Sequence, residues 1–292
     1  MVKFPLLKQF AKFVNERWNI HQRRLAGHAP PWTDDLIMQE YRFCNVRRED
    51  DRVTRWIHQH WLEPYKEDYE TVIFAMAVAR LVNLPETLEE LGYPAPWNTK
   101  AFVKVLNSRQ QRGEPVFTSA YMINAVGGDG ETKAEYLARA VLPPLWSARK
   151  RLATILEDGQ SLGTLHTALV EFRGFGSGFM AAQVLADVKH TVAGLLAKDW
   201  YTFASYGPGS RRGLNRVIGR DKDMPWVEEK WHRVLLELRE RIGQLQLLPM
   251  ELRSLDAQNL QNCLCEFDKY QRVKAGEGRP RQRFKPKGEY CK

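Results

Sequence analysis

Residues 69–84 constrain the fold most. They carry Val72, Ile73, Phe74, Met76, Val78, Leu81 and Val82 and stop before Pro85. A run that apolar and that long, ended by a helix breaker, predicts a helix rather than a strand. Helical spacing recurs along the chain. Over 4–26 it places Phe4, Leu7, Phe10, Phe13, Val14 and Trp18 on one face. A second helix is expected from near Leu36, capped by Asp34 or Thr33 and carrying Tyr41 and Phe43. A third is capped by Asp50 and Asp51, with Val53, Trp56, Ile57 and Trp61 as its stripe. Further helices are read over 86–91, 98–112, 131–142, 146–159, 161–172, 178–195, 211–219, 228–247 and 254–270, with Pro143-Pro144 separating two of them. A loop rich in Gly lies within 113–130. Strand signals are rare, and neither an internal repeat nor a long linker is present. The reading is an all-α protein in two packed lobes: residues 1–271 form one two-lobed domain and 272–292 a basic tail.

Charge narrows the partners. The 292 residues carry a formal net charge of +9, which suits a polyanion, nucleic acid first, or simply a basic soluble protein. Much of the excess sits in the tail, where eight Lys and Arg face only Glu277 and Glu289. With Phe284 and Tyr290 interleaved, the tail reads as a strand that follows a phosphate backbone. The four cysteines show no disulfide or zinc spacing, which points to a reducing compartment. The N-terminus has no signal-peptide pattern, and no run approaches a membrane span. His58 and His60 alternate on a helix and do not converge, so neither a metal nor a cofactor is expected.

The densest chemistry lies at 32–56. Trp32-Thr33-Asp34-Asp35 precedes Tyr41-Arg42-Phe43-Cys44-Asn45-Val46-Arg47-Arg48-Glu49-Asp50-Asp51-Arg52-Val53-Thr54-Arg55-Trp56, and seven of the nine residues from 47 to 55 are ionisable. Such a cluster is costly to bury unless its members pair or meet a charged ligand. It reads as a site for an anion, held by Arg and oriented by carboxylates.

Three further elements stand out. Phe172-Arg173-Gly174-Phe175-Gly176, between two helical segments near 165–188, has the pattern of a helix-hairpin-helix or of a plain tight turn. Gly174 and Gly176 permit the turn, and amides at the next helix start can grip a DNA phosphate. Gly207-Pro208-Gly209-Ser210-Arg211-Arg212 reads as a rigid turn with Ser210 as N-cap. It forms an anion pocket or an ordinary capped helix. On the last helix Cys265, Asp268 and Lys269 share a face, as do Glu266 and Lys269. That pair is either a surface ion pair or a carboxylate and amine able to move a proton beside a phosphate.

Together, the motifs at 32–35, 41–56, 207–215 and 265–281 resemble the phage thymine-hypermodification proteins called α-glutamyl/putrescinyl-thymine pyrophosphorylases, or amino acid:DNA transferases. The same helical module occurs in 5-hydroxymethyl-deoxyuridine DNA kinases. The resemblance implies a phage-encoded enzyme of the host cytoplasm with a fold like that of helix-hairpin-helix DNA glycosylases. Its substrate would be DNA bearing 5-phosphomethyl- or 5-pyrophosphomethyl-uracil. Its co-substrate would be an amino acid such as glycine, or another amine, which replaces the phosphate. No Gly-x-x-x-x-Gly-Lys-Ser/Thr motif supports a kinase site, and Gly127-Gly128-Asp129-Gly130 has the wrong spacing. Two alternatives remain: a glycosylase-like base-excision enzyme, or a non-catalytic DNA-binding module partnering a kinase.

On this reading the base flips into a pocket. The leaving phosphate needs cations, with Arg42, Arg48, Arg52, Arg211, Arg212 and Lys269 as candidates. The amine needs a carboxylate base, from among Asp50, Asp51, Glu266 and Asp268. Asn45 would read the uracil edge through two hydrogen bonds, Tyr41 or Phe43 would stack on the base, and Cys44 is a small core residue or an additional nucleophile.

Overall fold

The computed structural model describes residues 2–118, 131–159, 161–278, 280 and 283–284. Among these residues the regular elements are all helical, with one isolated antiparallel bridge between Tyr41 and Arg283. The all-α expectation holds. Gly127-Gly128-Asp129-Gly130 and Tyr290 lie outside the described residues. Among the described residues no helix is long and apolar enough to cross a membrane. The chain divides into two compact units: Arg52–Phe203, and a discontinuous one made of Met1–Asp51 with Ala204–Lys292.

The continuous unit is built on Tyr69–Val82. Asp68 caps this helix by accepting from the Thr71 amide, and the helix ends at Asn83, whose φ is 54°. All eleven residues from Val72 to Val82 are buried. A helix apolar around its whole circumference must be surrounded by others, and Arg149–Gly159 and Phe179–Val188 pack on it. Arg80 is the one charged side chain in that buried run.

Two expectations change here. Pro143 and Pro144 do not separate helices; they lie in the first turn of Leu142–Ser147. First-turn amides have no helical partner, so a proline there loses no hydrogen bond. The helix expected over 178–195 is two helices, Phe179–Val188 and Val192–Leu195, the second capped by Thr191. The glycine-rich hairpin does join two helices, Leu162–Val170 and Phe179–Val188. Its left-handed residues are Gly174 (φ 83°) and Gly178 (φ 74°), whereas Gly176 does not have positive φ. A Cβ on Gly178 would lie 3.2 Å from the His166 ring, whose Nε2 is 3.1 Å from the Gly178 carbonyl.

In the discontinuous unit the core is formed by Leu7–Leu25, Pro208–Val217, Glu228–Gln244 and Ala257–Lys274, with Phe10, Val14, Leu214, Trp231, Leu235, Leu264 and Phe267 buried. Pro208–Val217 lies along Ala257–Lys274. The approach is so close that a Cβ on Gly213 would sit 2.1 Å from the Leu264 carbonyl oxygen. Only glycine permits this crossing, and the crossing sets which side chains of the two helices meet.

The helix begun at Leu36 ends at Glu40, and it is Asp35, not Asp34 or Thr33, that caps it, accepting from the Ile37 and Met38 amides. Tyr41 is extended, and both Tyr41 and Phe43 are core residues. Burial removes them as stacking platforms for a flipped base. Ser210 is not an N-cap either. Gly207 holds that position with Pro208 next, while the buried Ser210 hydroxyl donates back to the Gly207 carbonyl at 3.0 Å. The last helix runs unbroken to Lys274. Phe284 packs on the unit, its ring 6.1 Å from that of Trp32 and its amide donating to the Glu40 carbonyl at 2.8 Å.

Candidate functional site

The discontinuous unit gathers most of the charged residues singled out in the sequence. Ala257–Lys274 is capped by Asp256, which accepts from the Gln258 and Asn259 amides. Asn259, Asn262, Glu266 and Lys269 follow at spacings of three and four and so share one face. That face holds segment 43–51, irregular apart from the short 3-10 turn Arg48–Asp50, by its backbone. The Arg48 amide donates to Asn259 Oδ1 at 3.0 Å, and Asn262 Nδ2 donates to the Asn45 carbonyl at 3.4 Å. The Cys44 amide donates to Glu266 Oε2 at 2.9 Å. From Leu7–Leu25, the buried Arg17 donates to the Phe43 and Cys44 carbonyls at 3.1 and 3.3 Å. A segment with so little regular structure must find such partners or lose its buried hydrogen bonds. Burial pulls the Arg17 pKa down, opposed by the nearby Glu266 charge.

At the centre is a carboxylate and an amine. Lys269 Nζ lies 2.6 Å from Glu266 Oε2, and their side chains are 20% and 12% exposed. The Lys269 ammonium also sits 4.8 Å from the Phe43 ring centre. The exposed Cys44 is next to this pair, and the negative Glu266 pushes its thiol up to about 12. A thiol so raised is protonated at neutral pH, which argues against Cys44 as a nucleophile.

The other candidates divide by what already holds them. Asp268 is buried and meets three guanidiniums: Arg212 Nε at 3.0 Å, Arg216 Nε at 2.9 Å and Arg272 Nε at 3.3 Å. Arg216 also reaches Glu277. The glycine crossing described above puts Arg212 and Arg216 over the carboxylate, while Arg272 lies one turn along the same helix as Asp268. Asp51 Oδ1 accepts from the Asn45 amide at 3.3 Å, and Asn45 Nδ2 donates to the Asp50 carbonyl at 2.9 Å. That bond uses one of the two Nδ2 hydrogens and leaves the other, with the carbonyl oxygen, for a ligand. Asp50 pairs with Arg47 at 3.2 Å and lies 3.6 Å from His21 Nε2. Arg211 lies over the Tyr206 ring at 4.8 Å. Arg42 is exposed and has no partner among the described residues.

Arg52, Gly174 and Gly176 belong to the continuous unit. Arg52 pairs with Glu86 at 2.9 Å, both more than half exposed, a pair worth under about 1 kcal/mol. The same unit holds a buried cluster. Asp187, with no exposure, takes Arg80 Nε at 2.5 Å, a further bond from Arg80 Nη2, and His58 Nε2 at 3.0 Å. Arg80 also donates to Thr54 Oγ1 at 3.0 Å and Asn83 Oδ1 at 3.4 Å. Burial pushes the Asp187 carboxyl up, but Arg80 and His58 outweigh it and hold it well below the usual carboxylate range. His60 turns away and stacks on Trp56, ring centres 4.4 Å apart.

Asn259, Asn262 and Arg17 were missed in the sequence. The available signal was two asparagines three residues apart, continuing the register of Glu266 and Lys269 along one polar face. Arg80 was hidden in the apolar run around it, and its partner is 107 residues away.

Residues 4–279 match the family described as "5-hmdU DNA kinase, helical domain". A 5-hmdU DNA kinase of Bacillus phage SP10 is 28% identical over 295 residues, covering 88% of this chain and 44% of the relative. The chain therefore spans less than half the length of that curated relative. No solved structure matches. With almost its whole length matched, the chain belongs to the family of 5-hmdU DNA kinase helical domains.

Proposed function

We propose that the protein acts in phage thymine hypermodification, replacing the phosphate or pyrophosphate of a 5-phosphomethyl-type uracil in DNA with an amine. The observation that carries this reading is the Glu266–Lys269 pair, whose Glu266 accepts from the Cys44 amide, two residues after the exposed Arg42 that has no partner among the described residues. An incoming phosphate competes for the Lys269 ammonium and frees the Glu266 carboxylate. The amine nitrogen attacks the 5-methylene carbon, and the C–O bond breaks with its electron pair leaving on phosphate. The proton released from the amine passes to Glu266. Lys269, Arg48 and Arg42 stabilise the leaving group, with Arg212 and Arg211 as further phosphate ligands. Asp51 and Asp268 position this machinery: one holds Asn45 and the other holds Arg212. The Asn45 carbonyl can accept from the uracil N3–H.

The test uses DNA carrying 5-phosphomethyl-deoxyuridine, an equimolar panel of amino acids and polyamines, digestion to nucleosides and mass analysis. The expected product is a nucleoside bearing one amine, with one phosphate released for each. Glu266→Gln and Lys269→Met should each lower turnover by about 10²-fold or more. Full turnover in both variants overturns the assignment.

One observation favours a second reading. The match is to the helical domain of a longer kinase, as a non-catalytic DNA-binding module would be. That reading predicts salt-dependent DNA binding with the base unchanged. Abasic sites would instead indicate a glycosylase.

A further inference from the structure

Arg17 lies on Leu7–Leu25 and is only 6% exposed. A buried guanidinium needs a counter-charge. Among the described residues no carboxylate pairs with it directly. Its hydrogen bonds run to the Phe43 and Cys44 carbonyls, and its Nε is buried with no partner. Carbonyl oxygens carry partial negative charge and do not neutralise a full positive one. The counter-charge stands on the far side of one peptide group. Arg17 Nη2 donates to the Phe43 carbonyl at 3.1 Å, and the N–H of that same peptide, the Cys44 amide, donates to Glu266 Oε2 at 2.9 Å. Burial pulls the Arg17 pKa down, and Glu266 is the first charge that opposes it.

We propose that Arg17 is a positioning residue that holds Glu266 through the Phe43–Cys44 peptide, as a bridged ion pair. A peptide with a cation on its oxygen and an anion on its N–H is polarised by both, so each hydrogen bond strengthens the other. Glu266 thus has two cations of different kinds. Lys269 meets it directly at 2.6 Å, is 20% exposed and can leave for a phosphate. Arg17 is fixed: it is buried, tied to two carbonyls and 5.6 Å from the Phe43 ring centre. When Lys269 leaves, the bridge keeps the carboxylate ionised and in place. That use of the bridge rests on the transfer reaction proposed above; the bridge itself does not.

Other charged or titratable groups face this chain of bonds. Arg48 and Asp51 act on Cys44, Arg24 acts on Arg17, and the thiols of Cys263 and Cys265 feel Glu266. None of them joins the two ends. Asp51, the second carboxylate in reach, accepts from the Asn45 amide instead.

The test follows the Cys44 amide proton by NMR in the full chain without DNA. Its signal should move with acid as its acceptor takes a proton. Arg17→Gln keeps donors for the carbonyls and removes the charge. A cation favours the ionised carboxylate, so without it the transition should come at a pH higher by about half a unit or more. Arg17→Lys keeps the charge and should stay near wild type. An Arg17 that only satisfies carbonyls would leave the transition where it is in Arg17→Gln, which overturns the proposal. Lys269→Met, at a part-exposed position, is a second probe that does not depend on a core variant folding. The Cys44 amide should keep its protection from hydrogen exchange there, to within about threefold. Loss of that protection would mean that Lys269 holds the carboxylate, and also overturns the bridge. The transfer assay separates the two ideas. A transition moved by Arg17→Gln, with no transfer, sinks the reaction and keeps the bridge. Transfer whose acid limb is unmoved by Arg17→Gln keeps the reaction and sinks the positioning role.

Discussion

Asp187 and Glu266 are both carboxylates held against a cation, one in each compact unit, and they are built differently. Asp187 and Arg80 have 0% and 1% side-chain exposure, and the contacts with Arg80 and His58 fill the carboxylate. Glu266 and Lys269 keep an open edge beside the exposed Cys44 and Arg42. The residue types are nearly the same. What differs is whether a ligand can reach the pair and exchange for one partner. A buried pair is costly to desolvate and very costly to break, so it fixes structure. A pair with one edge open to water is less costly to break than a fully buried one, and that open edge lets a phosphate or an amine compete for it.

The contrast breaks first on stability. Asp187→Ala leaves Arg80 charged and unpaired in the core, and should cost about 3–5 kcal/mol in urea denaturation. Glu266→Gln, which keeps an acceptor for the Cys44 amide, should cost less, about 0.5–1.5 kcal/mol. Equal losses would put both pairs in one class. Acid provides a second reading of the same contrast. The Asp187 carboxyl is depressed on folding, so the folded state binds fewer protons there than the unfolded chain. The stability it supplies is complete above the ordinary Asp value of about 3.9 and falls as pH drops below it. Wild-type stability should decline below about pH 4, and Asp187→Ala should remove part of that slope.

Asp268 is intermediate and sharpens the comparison. Its carboxylate is buried, but Arg212 and Arg272 are 32% and 35% exposed. Removing the carboxylate leaves guanidiniums that water can still reach. Asp268→Asn should therefore cost about 1.5–3 kcal/mol, less than Asp187→Ala. Arg212 also loses its tether, so the affinity for phosphorylated DNA should fall with it. A loss as large as that of Asp187→Ala would mean the Asp268 cluster is structural rather than a phosphate site.

How much of this was legible depends on how far apart the interacting residues lie. The helix at 69–82 is a local matter of spacing and breaker, and it was read to within two residues. The Glu266–Lys269 pair is three residues apart on one helix and was also readable. Tyr41 and Phe43 were misplaced because an aromatic beside charges looks available, while burial depends on distant segments, as Phe13 and Tyr270 show by packing on Phe43. Arg17, Asn259 and Asn262 were missed for the related reason that they serve backbone groups, which leave no trace in residue identity. Gly213 was read only as one residue of the helix over 211–219. Its function, admitting the Leu264 backbone, exists only once two helices cross.

The smallest effect probes the open pair most directly. Cys44 is exposed, yet its thiol is pushed up to about 12, first of all by the Glu266 charge. An exposed thiol in ordinary surroundings would titrate near 8.5 and react readily at that pH. Cys44 should therefore alkylate slowly with iodoacetamide at pH 8.5, as followed by peptide mass. Glu266→Gln keeps the shape and removes the charge, so the Cys44 rate should rise by about tenfold or more, each pKa unit recovered being worth a factor of ten in thiolate. An unchanged rate would mean the Glu266 charge is screened by water or neutralised by Lys269 before it reaches the sulfur. A carboxylate that cannot be felt by a neighbouring thiol would be too well compensated to take a proton from an amine. The thiol rate thus reports, without any DNA present, whether the Glu266–Lys269 pair keeps the basicity that the proposed transfer requires.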